Sequence, residues 1–222
     1  MLLIYTVVFS RLMRGSGLPD YGSATYTVFL CSGLLGWQLF SELLTRTTGV
    51  FSNYGNLLRR TTIPWPALLA SEILVSLVSF VILACVFAIF LAILDFTLGL
   101  RIWFAIIALS LVMTFAIALG LCLSVLQVFF RDVGLALPVI LQIWFWATPI
   151  VYPLSALPDG AKSLIIINPL SAPIQELQHS FMPALPGGSS PRLIGLAALA
   201  VILAWFGYRM IQRNWSAMQD EF

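Results

Sequence analysis

The feature that most constrains this chain is a series of long apolar runs separated by short connections. Residues 67–94 and 102–128 are the longest, and Glu72, near the start of the first, is their only charged residue. A helix needs about 20 mostly apolar residues to cross a bilayer. Because 60% of the residues are hydrophobic and 9% charged, a soluble core could not hide this much apolar surface. An integral membrane protein is predicted, and a water-soluble enzyme is excluded.

The runs lack the alternation of apolar and polar residues that barrel strands show, so they predict helices. The predicted fold class is an all-α membrane protein with six transmembrane helices and one membrane domain over residues 1–222. The first span covers only about 20 Å at 1.5 Å per residue, so it is expected to be truncated before Met1 or to be a shallow re-entrant piece. The predicted spans are residues 1–13, 26–44, 67–94, 102–128, 135–151 and 193–211.

Two connections stand out. Residues 45–66 carry Arg46, Arg59 and Arg60 without an acidic residue, and basic residues favour cytoplasmic loops. We therefore predict a cytoplasmic loop there. Residues 152–192 are rich in proline, which breaks helices, and their apolar part is too short to cross the bilayer. Short interfacial or re-entrant helices on the outer side are predicted there.

Motifs for catalysis or metal binding are missing from the sequence. No glycine-rich phosphate loop precedes Lys162, the single lysine, so ATP and Mg²⁺ are expected on a partner protein. The single His179 and the three cysteines lack the spacing of a metal site, and no cofactor is expected on this chain. A net charge of +2 without a basic stripe does not favour nucleic acid as a partner.

Polar and small residues near the span ends suggest how the spans contact one another. Glu42 and Glu72 lie near the cytoplasmic ends of the second and third spans, where each can reach water or pair with Arg46, Arg59 or Arg60. They form either a solvated pair or a link that transmits movement.

Small residues recur every four positions in the fourth span, which predicts close approach of another helix. This stripe consists of Ala116, Gly120 and Ser124.

Aromatic residues inside the spans are candidates for contact with sugar rings. Trp37 lies well within the second span, and Trp144, Phe145 and Trp146 precede Pro149 at the end of the fifth. Aromatic faces with a polar edge suit sliding sugars. Packing within the bundle and contact with lipid are the alternatives.

Six short motifs follow one another over nearly the whole chain. They are Val7-Val8-Phe9, the segment from Ser32 to Trp37, Asn56 to Arg60 with Ile63-Pro64, Val128 to Val133, Thr148 to Tyr152, and Asn168-Pro169-Leu170. In this order they resemble the permease subunits of ABC-2 type exporters of polysaccharides and polyol phosphates, such as O-antigen, capsule and teichoic acid exporters. The resemblance implies a half-transporter in the bacterial inner membrane. It implies that two copies form a channel for a lipid-linked glycan among membrane lipids, and that two copies of a separate ATPase bind on the cytoplasmic side.

The resemblance also assigns roles to residues. The cytoplasmic loop would hold a coupling helix at 53–60 that docks on the ATPase, and Arg131 with Asp132 would form either a cytoplasmic gate or a local ion pair. Asn168 and Pro169 would belong to an external gate, whereas Gln178 replaces an arginine that the family often carries. The coupling residues are Asn53, Asn56, Leu57, Leu58, Arg59 and Arg60, and the substrate path is Trp37, Trp144, Phe145, Trp146 and Tyr152.

Two other functions fit the same spans. An ABC-2 exporter of drugs or lipids would have a purely aliphatic pore face instead of an aromatic and polar one. An ATP-independent secondary carrier or membrane scaffold is less favoured, because no charge lies at mid-depth and no inverted repeat is evident.

Overall fold

The computed structural model describes residues 23–60, 63–94, 101–154, 157–183 and 185–221. This part of the chain contains seven helices and no strand, which confirms the all-α class. The predicted first span, residues 1–13, lies outside the described residues. The helices are α1 (Ser23–Arg60), α2 (Trp65–Ile93), α3 (Ile102–Phe129), α4 (Asp132–Trp146), α5 (Asp159–Ile167), α6 (Ser171–Phe181) and α7 (Ser190–Glu221).

Within the described residues, four helices are long and apolar enough to cross a membrane. They are Tyr26–Gly55 in α1, Trp65–Ile93, Ile102–Phe129 and Ser190–Met218 in α7. Helix α4 has 15 residues, about 22 Å, which is shorter than a hydrocarbon core of about 30 Å. The span predicted at 135–151 therefore ends earlier, at Trp146, because Pro149 cannot donate a backbone hydrogen bond and disfavours helix at the residue before it.

Helix α1 continues through the segment predicted as a loop. Its 38 residues extend about 57 Å, so the chain stays helical from 45 to Arg60. Phe51 and Leu58 on this extension are buried in a small apolar cluster with Ile211 and Met218 of α7. The residues expected to form a coupling helix, 53–60, are helical, but they continue α1 without an intervening loop, because burial of one helix face keeps residues 45–52 helical as well.

The bundle is built around α1 and α3, which lie in close contact. A Cβ atom at Gly120 of α3 would lie 1.8 Å from Oγ1 of Thr47 in α1, so only glycine allows this approach. Ala116 and Ser124 are buried on either side of Gly120, which confirms the predicted small-residue contact. Helix α7 packs on the other side of α3 at Gly207, where a Cβ atom would lie 2.9 Å from Cβ of Leu121.

Helix α2 lies at the edge of the bundle against α1. Apart from Ser71 and Cys85, its exposed side chains are apolar along the helix, as expected for a surface that faces lipid. In the predicted orientation, the end of the bundle with the start of α1 and with α6 is the outer end. The end with the last turns of α1 is the inner end.

Candidate functional site

Helix α6, part of the predicted external gate, is enclosed by the bundle instead of lying on its surface. Every residue from 171 to 178 is buried. Two glycines of α1 make room for it: a Cβ atom at Gly36 would lie 2.7 Å from Cδ1 of Ile174, and one at Gly33 would lie 2.8 Å from Nε2 of Gln178. The Ser32–Trp37 motif therefore forms the surface of α1 on which α6 packs.

Asn168 connects three parts of the outer end through four hydrogen bonds. Its Nδ2 donates to the Ala147 carbonyl at 3.0 Å and to Oγ1 of Thr148 at 2.8 Å. Its Oδ1 accepts from Nε1 of Trp144 at 3.0 Å and from the backbone N–H of Leu170 at 3.0 Å. The carboxamide uses both its donor and its acceptor groups, so it fixes the end of α4 to the start of α6.

Gln178 holds the same turn from the other side. Its side chain is buried, and Nε2 donates to the Pro149 carbonyl at 3.1 Å and to the Ile150 carbonyl at 3.4 Å. The Ser32–Trp37 and Asn168–Leu170 motifs, which are far apart in the sequence, thus both contact the Thr148–Tyr152 motif at its Thr148-Pro149-Ile150 turn.

The predicted aromatic residues form a packed cluster between α1, α3 and α4. The ring centroids of Trp37 and Phe145 are 5.5 Å apart, and those of Phe40 and Trp144 are 5.2 Å apart. Phe40 also stacks on Phe115 of α3 at 5.9 Å. Trp37 is buried, so its ring is packed against other side chains and is not open to a ligand within this chain.

Trp146 and Tyr152 differ from the rest of that cluster because they lie at its edge. The Trp146 side chain is 47% exposed. Tyr152 is half-buried and its hydroxyl donates to the Trp146 carbonyl at 2.7 Å. Burial raises the pKa of the Tyr152 phenol above its ordinary value. The substrate-path role of these residues stays a prediction, and Trp146 is the tryptophan of the set whose ring is open.

At the inner end, Arg46 pairs with both carboxylates that the sequence placed near it. Its Nε lies 3.0 Å from Oε1 of Glu42, and its Nη1 lies 3.4 Å from Oε2 of Glu72. The Tyr54 hydroxyl donates to Oε1 of Glu72 at 2.9 Å. Because Glu72 is buried on α2, these contacts tie α1 to α2 just before the predicted coupling segment.

The predicted coupling residues lie in the last turns of α1. Leu58 is buried in the inner apolar cluster, whereas Asn53 and Leu57 are exposed. Asn56, Arg59 and Arg60 belong to the same turns. The segment therefore has one face on the bundle and another that is open to a partner.

Arg131 and Asp132 are both exposed at the turn between α3 and α4. Within the described ranges, the ion pairs are those of Arg46, so the pair predicted between these two residues is not formed. Asp132 lies in the first turn of α4, where the helix dipole favours a carboxylate. The gate role of the two residues stays a prediction.

A polar stripe on α1 was missed in the sequence. Gln38 and Thr45 are exposed, and Ser41 between them is half-buried. Gln38 lies two residues before Phe40, which stacks on Phe115 in the middle of α3, so the stripe crosses the middle of the bundle. Alternating steps of four and three residues could have revealed it, since they define one helix face. Its polar members are Thr27, Gln38, Ser41 and Thr45, and Cys31 and Leu34 lie on the same face between Thr27 and Gln38.

Residues 1–182 match the family model for ABC-2 type transporters, which is most of the chain. The chain belongs to the ABC-2 type transporter family. As an ABC-2 permease it is a transport protein of the inner membrane and not an enzyme, and ATP hydrolysis takes place on a separate ABC ATPase subunit.

Curated relatives of this ABC-2 permease share most of its length. It is similar to the O-antigen export system permease protein RfbA of Myxococcus xanthus, with 30% identity over 92% of this chain and 76% of the relative. It is similar to the protein of the same name from Klebsiella pneumoniae, with 28% identity over 81% of this chain and 68% of the relative. It also resembles the polysialic acid transport protein KpsM of Escherichia coli, with 24% identity over 98% of this chain and 83% of the relative.

Proposed function

We propose that this permease forms half of a channel through which an ABC exporter moves a lipid-linked polysaccharide across the inner membrane. Two copies of the chain would enclose the path, and two copies of the ATPase, which bind ATP and Mg²⁺, would drive it. The relatives named for O-antigen export and for polysialic acid transport support a polysaccharide as cargo.

The observation that carries the proposal is the polar stripe on α1. The Gln38 side chain is exposed, and in the described part of the chain its carboxamide has no hydrogen-bond partner. A carboxamide in hydrocarbon without a partner costs several kcal/mol, so this face belongs against water, a second copy or a polar cargo. The edge helix α2 is mostly aliphatic on its exposed face, so lipid contact has its own surface.

The chemistry of the stripe suits sugars. The hydroxyl of Thr45 donates to the Ser41 carbonyl of its own helix at 2.7 Å, and that of Ser41 donates to the Gln38 carbonyl at 3.3 Å. Their oxygen lone pairs remain free to accept from sugar hydroxyls, while Gln38 both donates and accepts. An exporter of drugs or lipids would instead need an aliphatic face at this position.

Coupling to ATP hydrolysis would use the unbroken helix α1. The coupling segment 53–60 and the polar stripe lie on the same rigid helix, so displacement of one moves the other. Arg46 and Glu72 would pass the same displacement to α2. This arrangement gives the proposed ATPase partner a direct mechanical route to the channel wall.

Changing the stripe to apolar residues tests the proposal. We expect that Gln38→Leu together with Thr45→Val reduces polysaccharide export at least tenfold in cells, because the polar path is lost. Permease level and recovery of the ATPase should stay normal, since neither side chain packs in the bundle. Val78→Leu on the aliphatic face of α2 is the control. Normal export by the double variant would contradict the proposed channel wall.

A further inference from the structure

A cavity of about 340 Å³ opens at the outer end, where α5 meets α6 and α7 begins. Its walls are mostly aliphatic, and Arg192 is the one charged residue among the lining residues that the structure describes. The main apolar lining residues are Ile166, Ile167, Leu196 and Leu199.

Arg192 presents an incomplete set of hydrogen bonds at this cavity. Its Nε donates to Oγ of Ser189 at 2.5 Å. Its Nη1 is buried, and no hydrogen-bond acceptor for it lies within the described residues. Within the described residues no carboxylate pairs with Arg192, so its positive charge attracts an anion that enters the cavity, although the shielded Nη1 is not the atom that such an anion contacts. The first turn of α7, which contains Arg192, adds the positive end of its helix dipole.

The walls show what kind of anion fits. Among the lining residues, Ile167 is 77% exposed, Ile166 is 41% exposed and Leu199 is 38% exposed. A surface of this kind at the end of a membrane helix is suited to acyl chains. No carboxylate lines the described part of the cavity, so there is no partner for the ammonium group of a zwitterionic lipid. One guanidinium matches the single negative charge of a phosphodiester.

We propose that this cavity binds one anionic phospholipid of the surrounding bilayer, with the chemistry of phosphatidylglycerol. The phosphodiester contacts Arg192, and one acyl chain lies along Ile166, Ile167, Leu196 and Leu199. Asn168 also lines the cavity, so the bound lipid lies beside the residue that joins α4 to α6. The lipid thereby fills the space between the gate helices and α7. The inference does not depend on which cargo the exporter carries.

Two glycines allow a matched test. A Cβ atom at Gly195, which lines the cavity, would have no atom within 4 Å, so Gly195→Leu is expected to be tolerated and to occupy part of the cavity. Gly160 on α5 has the same open surroundings and does not line the cavity, so Gly160→Leu is its control. Arg192→Gln removes the charge. Arg209→Gln is its control, because it removes a positive charge from the same helix at a position where the guanidinium lies 5.0 Å from the centroid of the Trp205 ring.

The measurement is the amount of lipid retained per chain by the full permease. The permease is purified with its ATPase from nanodiscs that contain equal amounts of phosphatidylglycerol and phosphatidylethanolamine, and bound lipid is quantified by mass spectrometry. We expect retained phosphatidylglycerol to exceed phosphatidylethanolamine in the wild type. It should fall at least fivefold in Gly195→Leu and in Arg192→Gln and stay unchanged in both controls.

Several results would overturn the proposal. Equal retention of the two lipids would mean that Arg192 does not select an anionic lipid. Full retention of phosphatidylglycerol by Gly195→Leu would mean that the lipid binds outside this cavity. Displacement of phosphatidylglycerol by a stoichiometric amount of polyprenyl-pyrophosphate sugar would assign the cavity to the cargo anchor and not to a bilayer lipid. If Arg192→Gln does not fold, the Gly195→Leu and Gly160→Leu pair still decides the matter.

Discussion

The contact between Gly120 of α3 and Thr47 of α1 allows a quantitative prediction. In Gly120→Ala the new Cβ atom would lie 1.8 Å from Oγ1 and 2.7 Å from Cβ of Thr47. Ordinary contacts are about 3.5–4.0 Å, so the two helices must separate by more than about 1 Å. Overpacking of this kind costs about 1–3 kcal/mol, and the buried position on both helices favours the upper end. A loss of about 3 kcal/mol corresponds to a roughly hundredfold change in the unfolding equilibrium.

A double-mutant cycle isolates this contact. Thr47→Ala removes Oγ1, the closest atom, but keeps Cβ, so we expect partial recovery in Gly120→Ala/Thr47→Ala with a coupling of at least about 1 kcal/mol. The free energy of unfolding is measured by titration with SDS in mixed micelles. Gly160→Ala, where a new Cβ meets open space, is the control and should be neutral or slightly stabilising. Additive effects, or a Gly120→Ala protein as stable as the wild type, would refute the close approach of α1 and α3.

Three further predictions concern the outer gate, the substrate path and the coupling segment. Asn168→Ala removes four hydrogen bonds and should lower the free energy of unfolding by about 2–4 kcal/mol; a loss below about 1 kcal/mol in the same SDS titration would mean that Asn168 does not hold α4 to α6. Trp146→Ala should reduce export in cells while assembly is kept, because its ring is exposed at the edge of the aromatic cluster; unchanged export would remove it from the substrate path. Arg59→Ala with Arg60→Ala should reduce co-purification of the ATPase at least fivefold, whereas Arg213→Ala on α7 should not. Undiminished co-purification and ATP hydrolysis in the Arg59/Arg60 variant would argue against docking at this segment.

The outer gate illustrates how far the sequence could be interpreted. The Asn168-Pro169 and Thr148-Pro149 motifs can be identified in the sequence, but nothing in their spacing indicates that the Asn168 side chain donates a hydrogen bond to Thr148. Position within the spans indicates the aromatic residues, but the packing of Trp37 against Phe145 places this ring inside the bundle. The spacing of the polar stripe is present in the sequence of α1 and was missed, because its significance depends on which face of the helix is left exposed.

Hydrophobicity was enough to predict a helical membrane protein, since each apolar run must satisfy its own backbone hydrogen bonds in lipid. The lack of a glycine-rich phosphate loop placed ATP on a partner, and the four-residue spacing of small residues predicted close helix approach at Gly120. Helix packing accounts for the remaining features: α1 continues to Arg60, α6 is enclosed, and Arg192 faces an apolar cavity. These features depend on contacts between residues that are distant in the chain, and local composition carries no information about which distant partner buries a given face.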